Sequence, residues 1–133
     1  MSDNDFDTTI ADLQGLLTWP DGWNSYDALA PKPEAVIHAT MWIREVYQYF
    51  IATQQQWTKP DVTATGDGDV HISWYHGPRE LYVTVEEQDI HYLQAWSRDI
   101  KAKLTDGDIN SIDDMHNLWQ WLLNTPQSEE STT

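Results

Sequence analysis

The chain has 133 residues, no cysteine, and 22 acidic against 7 basic residues, a formal net charge of −15. That length suits one domain able to bury a core without staples, and the lack of thiols excludes a disulfide framework and a thiolate zinc site. So acidic a surface repels nucleic-acid phosphates and anionic membranes, and favours a basic protein partner, a cation, or simple solubility.

The first residues, MSDNDFDTTI, have neither the basic start nor the apolar run of a signal peptide. No apolar stretch approaches the length of a membrane span. A soluble, cytoplasmic protein without a membrane partner is therefore expected. Residues 1–8 are polar, acidic and without period, and are expected to be disordered. In residues 9–17, TIADLQGLL, the positions Ile10, Leu13, Leu16 and Leu17 recur at helical spacing, with Asp7, Thr8 or Thr9 as cap. WPDGW, with Pro20, Asp21 and Gly22 in series, is turn chemistry.

The segment DGWNSYDALAPKPEAV leads into the clearest helix. Pro33 suits a first helical position and Glu34 the positive end of the helix dipole. Val36, Ala39, Ile43, Val46 or Tyr47, and Phe50 form one apolar stripe, which Trp42 and Tyr49 widen. Pro60 stops any continuation. The period then becomes two. A short strand near residues 62–65 turns at GDGD into a strand with Val70, Ile72 and Trp74 on one face. His71, Ser73 and Tyr75 take the other. After HGPR, the next strand alternates Leu81, Val83 and Val85 with Tyr82, Thr84 and Glu86.

A turn over residues 77–80 would pair Trp74 with Val83, Ile72 with Val85, Tyr75 with Tyr82, Ser73 with Thr84 and His71 with Glu86. A further strand covers residues 90–96, DGDINSIDD reads as a loop, and SIDDMHNLWQWLLN as a helix capped by Ser111 with Asp114 in its third position. Ile112, Met115, Leu118 or Trp119, and Leu122 line its apolar side. Residues 125–133 form a polar tail expected to be disordered. The fold class is α+β over residues 9–124: an antiparallel three- to four-stranded meander with helices packed on one face.

Catalytic chemistry finds little foothold. Asp106, Asp108 and Asn110 match the start of a calcium loop, but Ser111 stands where its glycine belongs and Asn117 where its bidentate glutamate belongs. Asp67, Asp69 and His71 alternate, with Glu86 across the ladder, and Asp69, His71 and Glu86 are the set a metal-dependent hydrolase would use. The plainer reading is a glycine-flanked turn and a polar strand face. The histidines fit no metal-binding spacing, no nucleophile motif or phosphate loop occurs, and no cofactor is implied. Eight tryptophans and six tyrosines are many for this length; most suit a core, and those at the surface suit an interface. Tyr75 and Tyr82 beside Glu86, Asp67 and Asp69 would suit an arginine- or lysine-rich partner.

The run from Gly22 to Val36 resembles a motif of small bacterial and prophage-encoded proteins: glycine, tryptophan and Asp or Asn, then tyrosine, alanine, two prolines and alanine. Its matching positions here are Gly22, Trp23, Asn24, Tyr26, Ala28, Pro31, Pro33, Ala35 and Val36, followed by Pro60, Val62, Trp74 and Gly77. Asn24 replaces the usual Asp, and Lys32 a common capping Ser. The resemblance implies a shared fold and a mobile-element setting, and carries no activity. Within that run Trp23, Tyr26 and Asp27 are candidate binding residues; alternatively, Trp23 and Tyr26 brace the helix start.

The functional expectation is an acidic, non-enzymatic protein-binding module that occludes a basic surface, as inhibitors, antitoxins and anti-defence proteins do, without binding nucleic acid directly. A small metal-dependent hydrolase and a structural subunit of a larger assembly are the alternatives. The sequence leaves the oligomeric state open.

Overall fold

The computed structural model describes residues 2–24, 27–55, 57–96 and 104–123. Helix α1 spans Ser2–Gly15 and runs into a 3-10 turn at Leu16–Thr18; α2 spans Pro33–Ala52 and α3 Ile112–Leu123. Strands β1 (Asp61–Ala64), β2 (Val70–His76), β3 (Arg79–Val85), β4 (Ile90–Trp96) and β5 (Thr105–Asp108) form one antiparallel sheet in chain order. The class is α+β, as expected, with five strands among the described residues rather than three or four.

Helix α1 begins seven residues before the expected start and takes in the stretch expected to be disordered. Phe6 supplies the reason: its ring stacks on Tyr47 at 3.8 Å and meets Trp57 edge-on. One aromatic among acids has no period, so the pattern hides it. Thr9 is no cap; it is fully buried and its hydroxyl donates back to the Asp5 carbonyl. Leu13 and Leu16 are buried, whereas Leu17 faces solvent. The expected tail over residues 125–133 lies outside the described residues.

Helix α2 starts at Pro33 and buries Ala35, Val36, Ala39, Trp42, Ile43, Val46 and Phe50, the anticipated stripe with Trp42 fully in it. Tyr47 and Tyr49 pack half-buried on the core. In α3 the Ser111 hydroxyl accepts from Asp114 N–H, and the Asp114 carboxylate accepts from Asn110 N–H, a capping box shifted by one residue on its return bond.

The β2–β3 hairpin corrects the expected register. Gly77 has φ 60°, the positive value that two-residue hairpin turns require, so Gly77 and Pro78 alone make the loop. Ile72 therefore faces Val83, Trp74 faces Leu81, Ser73 faces Tyr82, Tyr75 faces Glu80 and His71 faces Thr84. The shift is two residues, so every side chain keeps its expected face. Strand β5 corrects the loop expected at DGD. Gly and Asp are poor strand formers, yet β4 lends this edge its ladder, pairing Tyr92 with Gly107. A Cβ at Gly107 would lie 2.7 Å from the Tyr92 hydroxyl, so the glycine makes room for that ring.

Helices α2 and α3 pack on one face of β2 and β3, over Val70, Ile72, Trp74, Leu81, Val83 and Val85. An aromatic chain runs through this layer: Trp42 to Trp74, Trp74 to Trp119, Trp119 to Phe50, Phe50 to Trp57. Trp42, Trp57, Trp74 and Trp119 are buried, in line with a core role for most tryptophans. Arg79, itself buried, donates to the Trp121 carbonyl and sits 5.0 Å over the Trp121 ring, tying α3 to the hairpin.

Candidate functional site: an acidic end of the sheet

The meander sets the β1–β2 turn, the β3–β4 turn and the end of β5 at the same end of the sheet, since Ala64 pairs with Val70, Val70 with Val85, Val85 with Ile90 and His91 with Asp108. These segments carry Asp67, Asp69, Glu86, Glu87, Asp89 and Asp108. The β1–β2 turn is tight: Thr65 Oγ1 accepts from the Asp67 and Asp69 N–H groups at 3.3 and 3.1 Å. It holds Asp67 exposed while tucking Asp69 to 9 % exposure.

Burial raises the Asp69 carboxyl above its usual pKa, with Lys32 opposing from 3.6 Å. The same ammonium lies 3.7 Å from Glu87.

In the β3–β4 turn, Glu86 N–H donates to the Asp89 carbonyl at 2.8 Å, and His38 Nδ1 lies 2.8 Å from the Glu86 carbonyl. The Glu86 carboxylate stands 3.4 Å from His91 Nε2, while Asp108 stands 2.6 Å from His91 Nδ1. The Asp108 hydrogen bond, with Glu86 adding, holds His91 above its ordinary pKa against the opposing effect of burial. Ligand atoms of Glu86, Asp89 and His91 lie within 4.8 Å of one another. That trio, among the described residues, replaces the expected Asp69, His71 and Glu86.

His71 sits on the outer sheet face, where its ring stacks on Tyr82 at 5.6 Å and burial lowers its pKa below the ordinary value. The expected His71–Glu86 pair is not formed. A four-residue turn that folds Glu86 onto Asp89, followed by His91, is the signal in EEQDIH that the strand-alternation reading passed over.

Tyr75 and Tyr82 do meet, diagonally rather than directly opposite, with ring centroids 6.1 Å apart at 84°. Tyr75 is exposed; Tyr82 is half-buried and donates to Glu80, a bond that holds its hydroxyl well above the usual pKa, with burial adding. Both lie on the outer face, apart from the acidic end. Trp23 is half-buried: its indole N–H donates to the Leu29 carbonyl at 2.8 Å and its ring leans on Trp19. Asp27 is exposed in the same loop, and Tyr26 lies outside the described residues.

The loop is stitched first to itself, through Gly22 N–H to Ala28 O and Ala30 N–H to Asp21 Oδ1. It then joins the β1–β2 turn, through Leu29 N–H to Gly66 O and Lys32 N–H to Gly68 O. Through its own bond to the Leu29 carbonyl, Trp23 is fastened to this stitched loop.

The structure thus gathers Asp67, Asp69 and Glu86 of the sequence-derived candidates and adds Glu87, Asp89, His91 and Asp108. Among the described residues no helix is long and apolar enough to cross a membrane. In comparisons with known proteins, no family model, no curated protein and no solved structure matches the chain.

Proposed function

We propose that the protein is an acidic, non-enzymatic binding module that acts in the cytoplasm by occluding a basic surface of a partner protein. The observation that supports this reading is the convergence of Asp67, Asp69, Glu86, Glu87, Asp89 and Asp108 at one end of the sheet. Among the described residues, Lys32 is the one lysine or arginine lining the groove that holds most of them. In its sharpest form the carboxylates stand where nucleic-acid phosphates would bind the partner, which is the logic of an inhibitor or anti-defence protein and suits the mobile-element resemblance. The partner is to be captured from host lysate on the immobilised protein, and its affinity measured from about 50 to about 300 mM salt. A loss of roughly ten-fold or more is expected across that range, because exposed charge pairs are screened beyond about one Debye length. Combined Asp67→Asn, Glu86→Gln, Glu87→Gln and Asp89→Asn should flatten the slope. A salt-insensitive affinity would count against the reading.

A second reading, a small metal-dependent hydrolase, draws on the Glu86, Asp89 and His91 trio. Binding to the folded state alone raises the unfolding midpoint. Zinc, manganese or magnesium should then stabilise the protein, and Glu86→Gln should abolish the gain. An unchanged midpoint with all three ions removes this reading.

A further inference from the structure

We propose that the cleft between α2, the β3–β4 turn and the β5–α3 link receives an arginine side chain of the basic protein partner. The inference rests on the binding-module reading and names its anchor point. The cleft measures about 380 Å³, within the range of pockets that enclose a compact organic group. Its lining is of two kinds. Trp42 and Ile109, both almost fully buried, and Met41, 63 % exposed, give it an apolar side. Glu45 from α2, Asp89 from the turn and Asp108 from β5 put three carboxylates around it, and among the described residues no lysine or arginine lines it.

That last point separates this cleft from the neighbouring groove at Asp69. There Lys32 already stands near two carboxylates, Asp69 and Glu87. Among the described residues no ammonium or guanidinium lines the cleft beside Glu45 and Asp89. His38, also in the lining, faces the Glu86 carbonyl through Nδ1, and Asp108 keeps 63 % of its side chain exposed while bonding His91 through one oxygen. A guanidinium matches such a place. Its planar fork takes a carboxylate through two parallel bonds, and its weak hydration lets it rest on apolar surface. Its methylene stem would cover Met41 as it enters. A lysine ammonium, more strongly hydrated and without the fork, fits less well.

The test uses the full chain and two short peptides, arginine–glycine and lysine–glycine, titrated at low salt by calorimetry and by the Trp42 indole N–H resonance. Met41→Lys places an ammonium at the cleft. Ile51→Lys makes the same charge change on the same helix at a residue that is 54 % exposed and does not line the cleft. Both substitutions are at exposed positions, and circular dichroism confirms that each variant folds. The expected result is tighter binding of the arginine peptide, a shift of the Trp42 resonance, and a loss of roughly ten-fold or more in Met41→Lys against about two-fold in Ile51→Lys. Equal losses in the two variants, or equal affinity for the two peptides, would overturn the arginine cleft and leave the acidic-module reading standing. Failure of the native protein to bind either peptide would overturn both.

Discussion

Replacing Trp74 by alanine is expected to lower the unfolding free energy by about 3–5 kcal/mol, the range for truncating a large buried aromatic. Trp74 is 1 % exposed and sits at the middle of the aromatic chain, 6.2 Å from Trp42 and 5.8 Å from Trp119. Its indole N–H also donates to the Thr58 carbonyl at 2.8 Å, the bond that ties the segment after α2 to the sheet. Alanine would leave a cavity against both helices and remove that carbonyl's donor. A domain of this size has roughly 5–15 kcal/mol in all, so the variant should melt far earlier in urea with an unchanged slope. Trp74→Phe, which keeps a ring and loses only the donor and part of the volume, should cost about half as much. A loss under about 1 kcal/mol in the alanine variant would mean that the core is not organised around this residue.

Gly68→Ala should cost about 2–3 kcal/mol, through a backbone mechanism rather than a cavity. Gly68 has φ 91°, where an L side chain is strained, and a Cβ there would lie 2.8 Å from the Ala30 carbonyl oxygen. A backbone atom cannot swing aside as a side-chain tip can. The substitution would push apart the β1–β2 turn and the loop before α2, which Lys32 N–H to Gly68 O holds together. Gly66→Ala is the control: a Cβ there meets nothing within 4 Å. Equal melting temperatures for the two variants would rule out the brace. Trp23→Ala completes the comparison, since a brace predicts lost stability with partner binding retained by whatever remains folded. Intact folding with abolished binding would move Trp23 from brace to contact residue.

What could be read from the residues depended on whether a pattern or a partner decides the structure. The stripe from Val36 to Phe50 and the alternation in β2 and β3 are periodic, and periodicity places a side chain on a face before any contact is known. That is why the inner and outer faces were right even though the hairpin register was off by two: a two-residue slip leaves faces unchanged. The register turned on one dihedral, at Gly77. Phe6 and β5 depend wholly on neighbours, Tyr47 for one and the β4 ladder for the other. Neither neighbour is visible from local composition.

At the candidate site, Asp67, Asp69 and Glu86 could be picked out because strand alternation puts them on one polar side of the ladder. Asp108 shows in the sequence only as part of a calcium-loop match that fails, because its role beside His91 exists only once the edge strand is in place.

The sheet's neighbour-only order also carries a kinetic consequence. Each strand finds its partner across a short stretch of chain, so loop-closure entropy stays small and the hairpins are able to form early. The aromatic layer differs: Phe50 and Trp74 wait for Trp119, which is near the end of the described chain. During synthesis the sheet precedes its lid, leaving the apolar side of α2 and β2 open until α3 emerges. A chain with so many acids has a built-in defence for that interval, because like charges keep partly folded copies apart.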